Sequence, residues 1–358
     1  MHALEALWFT TVNWLSAHLI APALASVHLT KLVDDPQEIA QYFLLTGIQV
    51  AIIAFVFRPM ETLWPLEAWS ERKGTRIDRA YTLIKLFGLL PLVTYLVISP
   101  LGHLFGGGGA DDDSSGLFSL QAAFPWLGHH PVVLFLIYYA IYDFVYYVVH
   151  RLQHKIPWWW ALHSLHHSQK QLNCWSNDRD HYLDDLLEVV CVSTVSVLIG
   201  VSPTEYALLV LIGELLQNFD HANIRVRFGP VLDKILVDPR YHRLHHMIVD
   251  PDRPGLHDCN YSFVFPIWDI LFGTALYGEP ARATGVGDPT VNADNDRGIV
   301  GQQLGVMKRF WASVRCKAGW RPGDVAFDEN HRPVSVDEFD LHALEASQTP
   351  LAAVREPH

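Results

Sequence analysis

Apolar residues gather into long runs along this chain, and the runs set the first expectations. An interrupted run covers 5–29, longer ones cover 41–57, 80–99 and 131–149, and a pair at 186–200 and 204–219 is separated by a turn around Ser202 and Pro203. A helix that crosses a bilayer needs about 20 predominantly apolar residues. The runs at 41–57, 80–99 and 131–149 suit that length. The last two are shorter and predict a helical hairpin that enters a membrane without fully crossing it. After Gly273 the long apolar runs stop, and 280–358 reads as a polar, Gly-, Pro- and Asp-rich soluble tail with a disordered end. No repeat at a solenoid period occurs. The pattern therefore predicts an all-α fold, an integral-membrane bundle of about four to six membrane-embedded helices. It divides the chain into N-terminal transmembrane helices and loops (1–130), a catalytic unit (131–279) and the polar tail (280–358).

Charge gives the bundle a direction. The segment 58–79 carries Arg58, Arg72, Lys73, Arg76 and Arg79, whereas 100–130 has no Lys or Arg and contains GGGGADDDSSG. Basic loops stay on the cytoplasmic side. A multi-pass topology follows, with 58–79 inside, 100–130 outside, and the run at 131–149 returning to the cytoplasmic face at His150. Composition agrees: half the residues are hydrophobic and 18% are charged, against about 25% in soluble domains. The 12 Trp and 13 Tyr fit interfacial belts, a large aromatic core being the alternative. The net charge of −12, with no basic patch, argues against nucleic acid as a partner. Cys174, Cys191, Cys259 and Cys316 form no CxxC pair and read as free thiols. The opening MHALEAL has no basic n-region and is not expected to be a signal peptide.

The histidines change the picture from a membrane bundle to a site. Eleven of the 20 lie between 150 and 257. They form HRLQH (His150, His154), HSLHH (His163, His166, His167) and HRLHH (His242, His245, His246), with His181 and His221 between. Positions i, i+3 and i+4 share one helix face, so three helices would project eight imidazoles into one volume. Neutral imidazole suits Fe, Zn and Cu, and one metal takes four to six ligands, so the set implies two metals held at the cytoplasmic end of a span. His221 is expected as a ninth ligand. His181 is expected as a tenth ligand or as a residue supporting the ligands. His257 reads as a non-ligand, and His129 and His130 fall on the far side. Asp178, Asp180, Asp184, Asp185, Glu188, Asp220 and Asp238 are near in sequence, and some of them are expected to accept the second ring N–H of a ligand.

These boxes, in this order after a membrane span, resemble those of the fatty acid hydroxylase / sterol desaturase superfamily. Asn173, Arg179 and His181 match an Asn, an Arg and a His that follow the second box there. Gln217, His221 and Asn223 resemble the segment before the third box, and Asn260, Tyr261, Trp268, Asp269 and Phe272–Thr274 resemble its NYG and WDxxFGT ending. The likeness covers about 140–275, and its flanking residues are most like those of bacterial members and of members acting on alkylglycerols. Tyr182 replaces a common Pro and Ser262 a common Gly. Gln217 stands where some members have another His, which leaves nine or ten ligands. The resemblance implies a cytosolic helical cap over a di-iron centre, with zinc possible in a purified sample and O2 as co-substrate. It implies hydroxylation or desaturation of a lipid such as a sterol, fatty acyl or ether lipid. Asn173, Arg179, Gln217, Asn223 and Asn260 would support the ligands. No dinucleotide fingerprint, CxxCH or iron–sulfur cysteine set is present, so electrons would come from a separate reductase or a ferredoxin- or cytochrome-like donor. Two other classes compete. A zinc-dependent membrane hydrolase would carry HExxH or an equivalent, which is missing. A metal-binding or transport protein would place its ligands inside the spans.

Overall fold

Proline opens four of the helices that build the centre of the protein, where its missing N–H costs nothing. The computed structural model describes residues 2–26, 28, 36–68, 73–89, 117–248, 256, 258–315, 325–327 and 333–335. Helix α1 (His2–Leu15) continues through a π-helical turn to residue 26, and α2 is the long Pro36–Leu63. Helix α3 (Lys73–Ile84) runs into a π-helical turn, Lys85–Leu89. Helices α4 (Pro131–Lys155) and α5 (Pro157–His167) are separated only by Ile156, which is extended (φ −100°, ψ 116°), as a residue before proline prefers. That single break folds α5 back on α4.

Helix α6 is Tyr182–Leu198. Helix α7 (Pro203–Asp220) starts with a capping box in which Ser202 and Glu205 satisfy each other's backbone N–H. Helix α8 (Pro239–His245) is capped by the Asp238 carboxylate. Helix α9 (Ile267–Phe272) stops at Gly273, whose φ of 69° is left-handed, and α10 is Ile299–Arg315. Two three-residue strands, Val325–Phe327 and Pro333–Ser335, pair antiparallel. The rest of the regular structure described is helical, as the sequence predicts.

Helices α5 and α6 pack on α4, α10 packs on α5, and α7 lies against α2 and α8. One apolar cluster joins Tyr138 and Tyr142 of α4 to Leu209 of α7 and to Phe263. A second joins Tyr81 of α3 to Leu162 and Leu165 of α5 and to Val306 of α10. Among the described residues two helices, α2 and α4, are long and apolar enough to cross a membrane, and only 22% and 39% of their most apolar stretches is covered by protein. Their apolar flanks point outward, unlike those of a core helix.

Several expectations change in detail. The segment 58–79 is not one loop: 58–63 completes α2 and α3 begins at Lys73. The run at 80–99 is described only to 89. Residues 90–99, the GGGGADDDSSG stretch, His257, Cys316 and the chain end from 336 lie outside the described residues. The runs near 186–200 and 204–219 form α6 and α7, of 17 and 18 residues; both touch α4, and α7 packs on α2 and α8 as well. The segment expected as a soluble tail contains α10, which docks on the histidine-bearing α5.

Candidate metal centre

Helical spacing brings the histidines together, and helix packing then sorts them. His150, His154, His163, His167 and His245 form one group, and His166, His221, His242 and His246 form another. In each group the potential ligand atoms all lie within 4.8 Å of one another. Each HxxHH box is thereby split. The i and i+4 residues of α5 go to the first group and the i+3 residue to the second; α8 does the reverse, with His242 and His246 in the second group and His245 in the first. The groups abut, with the His167 and His246 rings stacked at 4.3 Å between centroids.

His221 caps the C-terminus of α7 and is the hub of the second group. Its Nε2 lies 3.1 Å from His166 Nε2, 3.2 Å from His246 Nε2 and 3.1 Å from His242 Nε2, and the latter two are 3.1 Å apart. Its Nδ1–H donates to the Gln217 carbonyl at 2.8 Å, so its Nε2 carries a lone pair. Three more rings face that lone pair, and hydrogen bonds between neutral rings cannot satisfy all four. Around a tetrahedral ion with bonds of about 2.0–2.1 Å the ligand atoms stand about 3.3 Å apart, close to the spacing seen. In the first group the buried Nε2 atoms of His163, His167 and His245 have no hydrogen-bond partner, which is costly unless something else binds them. These donors fit a pair of metal ions.

The other ring nitrogens are held from behind. His150 Nδ1–H donates to the Tyr261 carbonyl at 2.7 Å, and His245 Nδ1–H to the Cys259 carbonyl at 2.8 Å. His163 Nδ1–H donates to the Asp184 carboxylate at 3.0 Å. Such contacts fix the tautomer and aim Nε2 inward. His166 Nδ1 lies 3.2 Å from Asp180. Burial, and then neighbouring imidazoles, hold His166, His167, His242, His245 and His246 well below the ordinary imidazole pKa. They stay neutral, the state a ligand requires. Asp184 also accepts from Gln153 Nε2 at 2.9 Å and Trp159 Nε1 at 2.7 Å. Asp184→Ala should weaken metal retention in the first group about 10–100-fold, measured by competition with a chelator. Unchanged retention would remove Asp184 from the site.

A small cavity opens beside the two groups, lined by Lys85, Tyr146, Asn177, Asp185, Glu188, Gln217 and Phe263 together with His150, His163, His166, His221 and His242. Lys85, from the third apolar run, places its ammonium 3.4 Å from Asp178, 3.2 Å from Asp185 and 3.4 Å from Glu214. Burial pushes the Asp185 carboxyl up to about 7, against the opposing pull of Lys85.

The remaining residues expected at the site have different stations. His181 belongs to neither group; it caps α6, its Nδ1 accepting from the Leu183 N–H at 3.1 Å. Gln217 shares the cavity, and its side-chain oxygen accepts from the Tyr146 hydroxyl at 2.9 Å. Asn260 acts through the backbone. It is left-handed, with φ 57°, a conformation asparagine tolerates. Its side chain binds the Tyr241 carbonyl and both backbone groups of Leu276. This fixes the turn whose flanking carbonyls, at 259 and 261, receive the His245 and His150 N–H groups. Asn173, Arg179 and Asn223 have no hydrogen bond to the nine imidazoles. Asn173 and Arg179 grip the Asp78 carboxylate, at 2.7 Å and 2.6 Å. Asn223 accepts from the Glu67 N–H at 2.9 Å.

Three braces escaped the sequence reading. Glu61 is buried and accepts from the backbone N–H of Cys174 at 2.7 Å and of Asn223 at 3.0 Å. Glu67 pairs with Arg243 of the third box at 2.7 Å. Asp78 is the third. All three lie in a stretch whose Lys and Arg made it look like a solvated loop, and their acidity among those basic residues was the available signal.

Fold and site together define a helical protein with, among the described residues, two candidate membrane spans and a buried, nine-histidine centre of paired donor groups. Residues 135–274 match the family described as Fatty acid hydroxylase. The ornithine lipid hydroxylase OlsE of Rhizobium tropici is 31% identical over 269 residues, 74% of this chain and 72% of that protein. Alkylglycerol monooxygenase of Homo sapiens is 30% identical over 190 residues, 51% of this chain and 41% of that protein, and that of Caenorhabditis elegans is 31% identical over 134 residues, 37% and 25%. The chain thus spans less than half the length of these animal relatives. No solved structure matches. The chain belongs to the fatty acid hydroxylase family.

Proposed function

We propose that this protein is a membrane-bound di-iron oxygenase that hydroxylates a C–H bond of a lipid. The observation that carries this reading is the pair of abutting histidine groups, five and four strong, built from four helices. Iron is favoured over zinc by the family and by the names of the relatives, a lipid hydroxylase and monooxygenases. Those names make an ornithine lipid or an ether lipid the first substrates to try.

His150, His154, His163, His167 and His245 would hold one ion, and His166, His221, His242 and His246 the other. Two ferrous ions so held supply reduction of O2 and removal of hydrogen from an unactivated C–H bond. The balance is substrate, O2, two electrons and two protons giving alcohol and water. The chain's own part is placement. Backbone carbonyls and Asp184 hold the Nδ1 protons, the Nε2 lone pairs face inward, and burial keeps the rings neutral. The cavity between Tyr146, Phe263 and the Lys85 network would receive the reacting part of the lipid. Electrons would arrive from a separate reductase or a ferredoxin- or cytochrome-like donor. The 131–279 unit would sit at the cytoplasmic face of a multi-pass bundle formed with 1–130, an orientation supported by the basic 58–79 segment.

The test uses detergent-purified protein reloaded anaerobically with ferrous iron, a reductant and a lipid extract. Two ions per chain and lipid-stimulated O2 uptake are expected. Two tightly held zinc ions with no O2 uptake under any reductant would overturn the oxygenase reading.

A further inference from the structure

Helix α10 is apolar on its outer face as well as within its inner one. Its inward arc carries Val306, Gln302 and Arg309, all at 0% exposure, and Ser313 at 6%, while Val300, Leu304, Trp311 and Val314 are 73%, 59%, 51% and 45% exposed. A surface helix of a soluble protein turns charged and polar residues to that outer face. The inward polar groups are held by the protein itself. Gln302 donates to the Asp294 and Arg297 carbonyls at 3.0 and 3.3 Å, and Arg309 donates to the Asp294 carboxylate at 2.6 Å. At 3.6 residues per turn, Val300, Leu304, Lys308, Trp311, Val314 and Arg315 fall on one arc of about 120°.

We propose that this arc lies in the headgroup layer of the bilayer and makes α10 an interfacial helix that holds α5 and its three histidines beside the membrane surface. The proposal rests on the reading of the chain as membrane-bound. Position supports it: α5 begins two residues after α4, a candidate span, ends at Lys155, and α10 lies along α5. One helix diameter, about 10 Å, therefore separates α10 from the helix that starts at the end of the span. Chemistry supports it as well. Helix α10 has no acidic residue, and exposed Lys308 and Arg315 flank the apolar positions. Basic residues beside a Trp and aliphatic side chains suit an anionic membrane surface. A second copy of this chain fits less well, since a two-fold contact of this arc with itself would bury Lys308 and Arg315 of both copies with no acid on either arc to pair them.

The test is spin-label accessibility in the full chain, reconstituted into nanodiscs of phosphatidylethanolamine and phosphatidylglycerol. Labels are placed at Leu304→Cys and Val300→Cys in a background carrying Cys191→Ser and Cys316→Ser, with Leu136→Cys on the exposed flank of α4 as reference. Both α10 labels are expected to be several-fold more accessible to O2, which partitions into lipid, than to a water-soluble nickel chelate. Preference for the chelate would place the arc in water, and protection from both reagents would place it against protein; either result overturns the proposal. A chelate-accessible Leu136 label would overturn the membrane reading itself, which separates the two failures.

Discussion

Replacing His221 with alanine is expected to halve the metal content and abolish turnover. This histidine lies outside the three boxes, yet its Nε2 faces three other rings at 3.1–3.2 Å. Removing it leaves His166, His242 and His246, an open three-histidine set that should give up its ion to a chelator far more readily. Losing a residue behind a ligand costs about 10–100-fold in metal affinity or activity, and losing a direct ligand should exceed that. The first group shares no ligand with the second, so one ion should remain. Metal analysis after chelator treatment and lipid-dependent O2 uptake measure the two effects. Full metal content with normal turnover would remove His221 from the centre.

The second large effect concerns the fold. Arg309 and Asp294 form an ion pair at 2.6 Å with both side chains at 0% exposure, and Arg309 also donates to Ser164 Oγ on α5 at 3.4 Å. Removing one member of a buried pair leaves an uncompensated charge and costs about 3–5 kcal/mol. Arg309→Ala should therefore lower the unfolding transition of the detergent-solubilised protein substantially. It should also loosen metal binding by His163, His166 and His167, because α10 packs on the helix that carries them. Replacing both partners, Arg309→Met with Asp294→Leu, should recover much of the loss. A single variant as stable as the parent would show that the pair contributes nothing.

Much of the site was legible because it is written in helical periodicity. The i, i+3, i+4 spacing of HSLHH and HRLHH needs only local geometry to put three imidazoles on one face. His150 and His154 follow from the same rule at the end of an apolar run. The partition was not legible: His166 leaves its neighbours His163 and His167 for the other group because the rings of α5 and α8 interleave, His166 against His246 and His167 against His245, both at 4.7 Å between centroids, a relation between segments about eighty residues apart. The roles of Asn173, Arg179 and Asn223 were also hidden, because their partners are Asp78 and Glu67, which sit far away in a stretch that reads as a basic loop.

The sequence by itself determined the helical class, the spanning length of the apolar runs that become α2 and α4, the identity of the nine clustered histidines and the family. Each of these depends on composition or on spacing within one segment. Tertiary structure alone decided how the nine divide into five and four, which carbonyls and carboxylates hold their outer nitrogens, and that 288–315 folds onto the site. Those outcomes depend on contacts such as Glu61 to Cys174 or Arg309 to Ser164, made between residues more than a hundred positions apart. No local pattern of apolar and polar residues encodes such pairs.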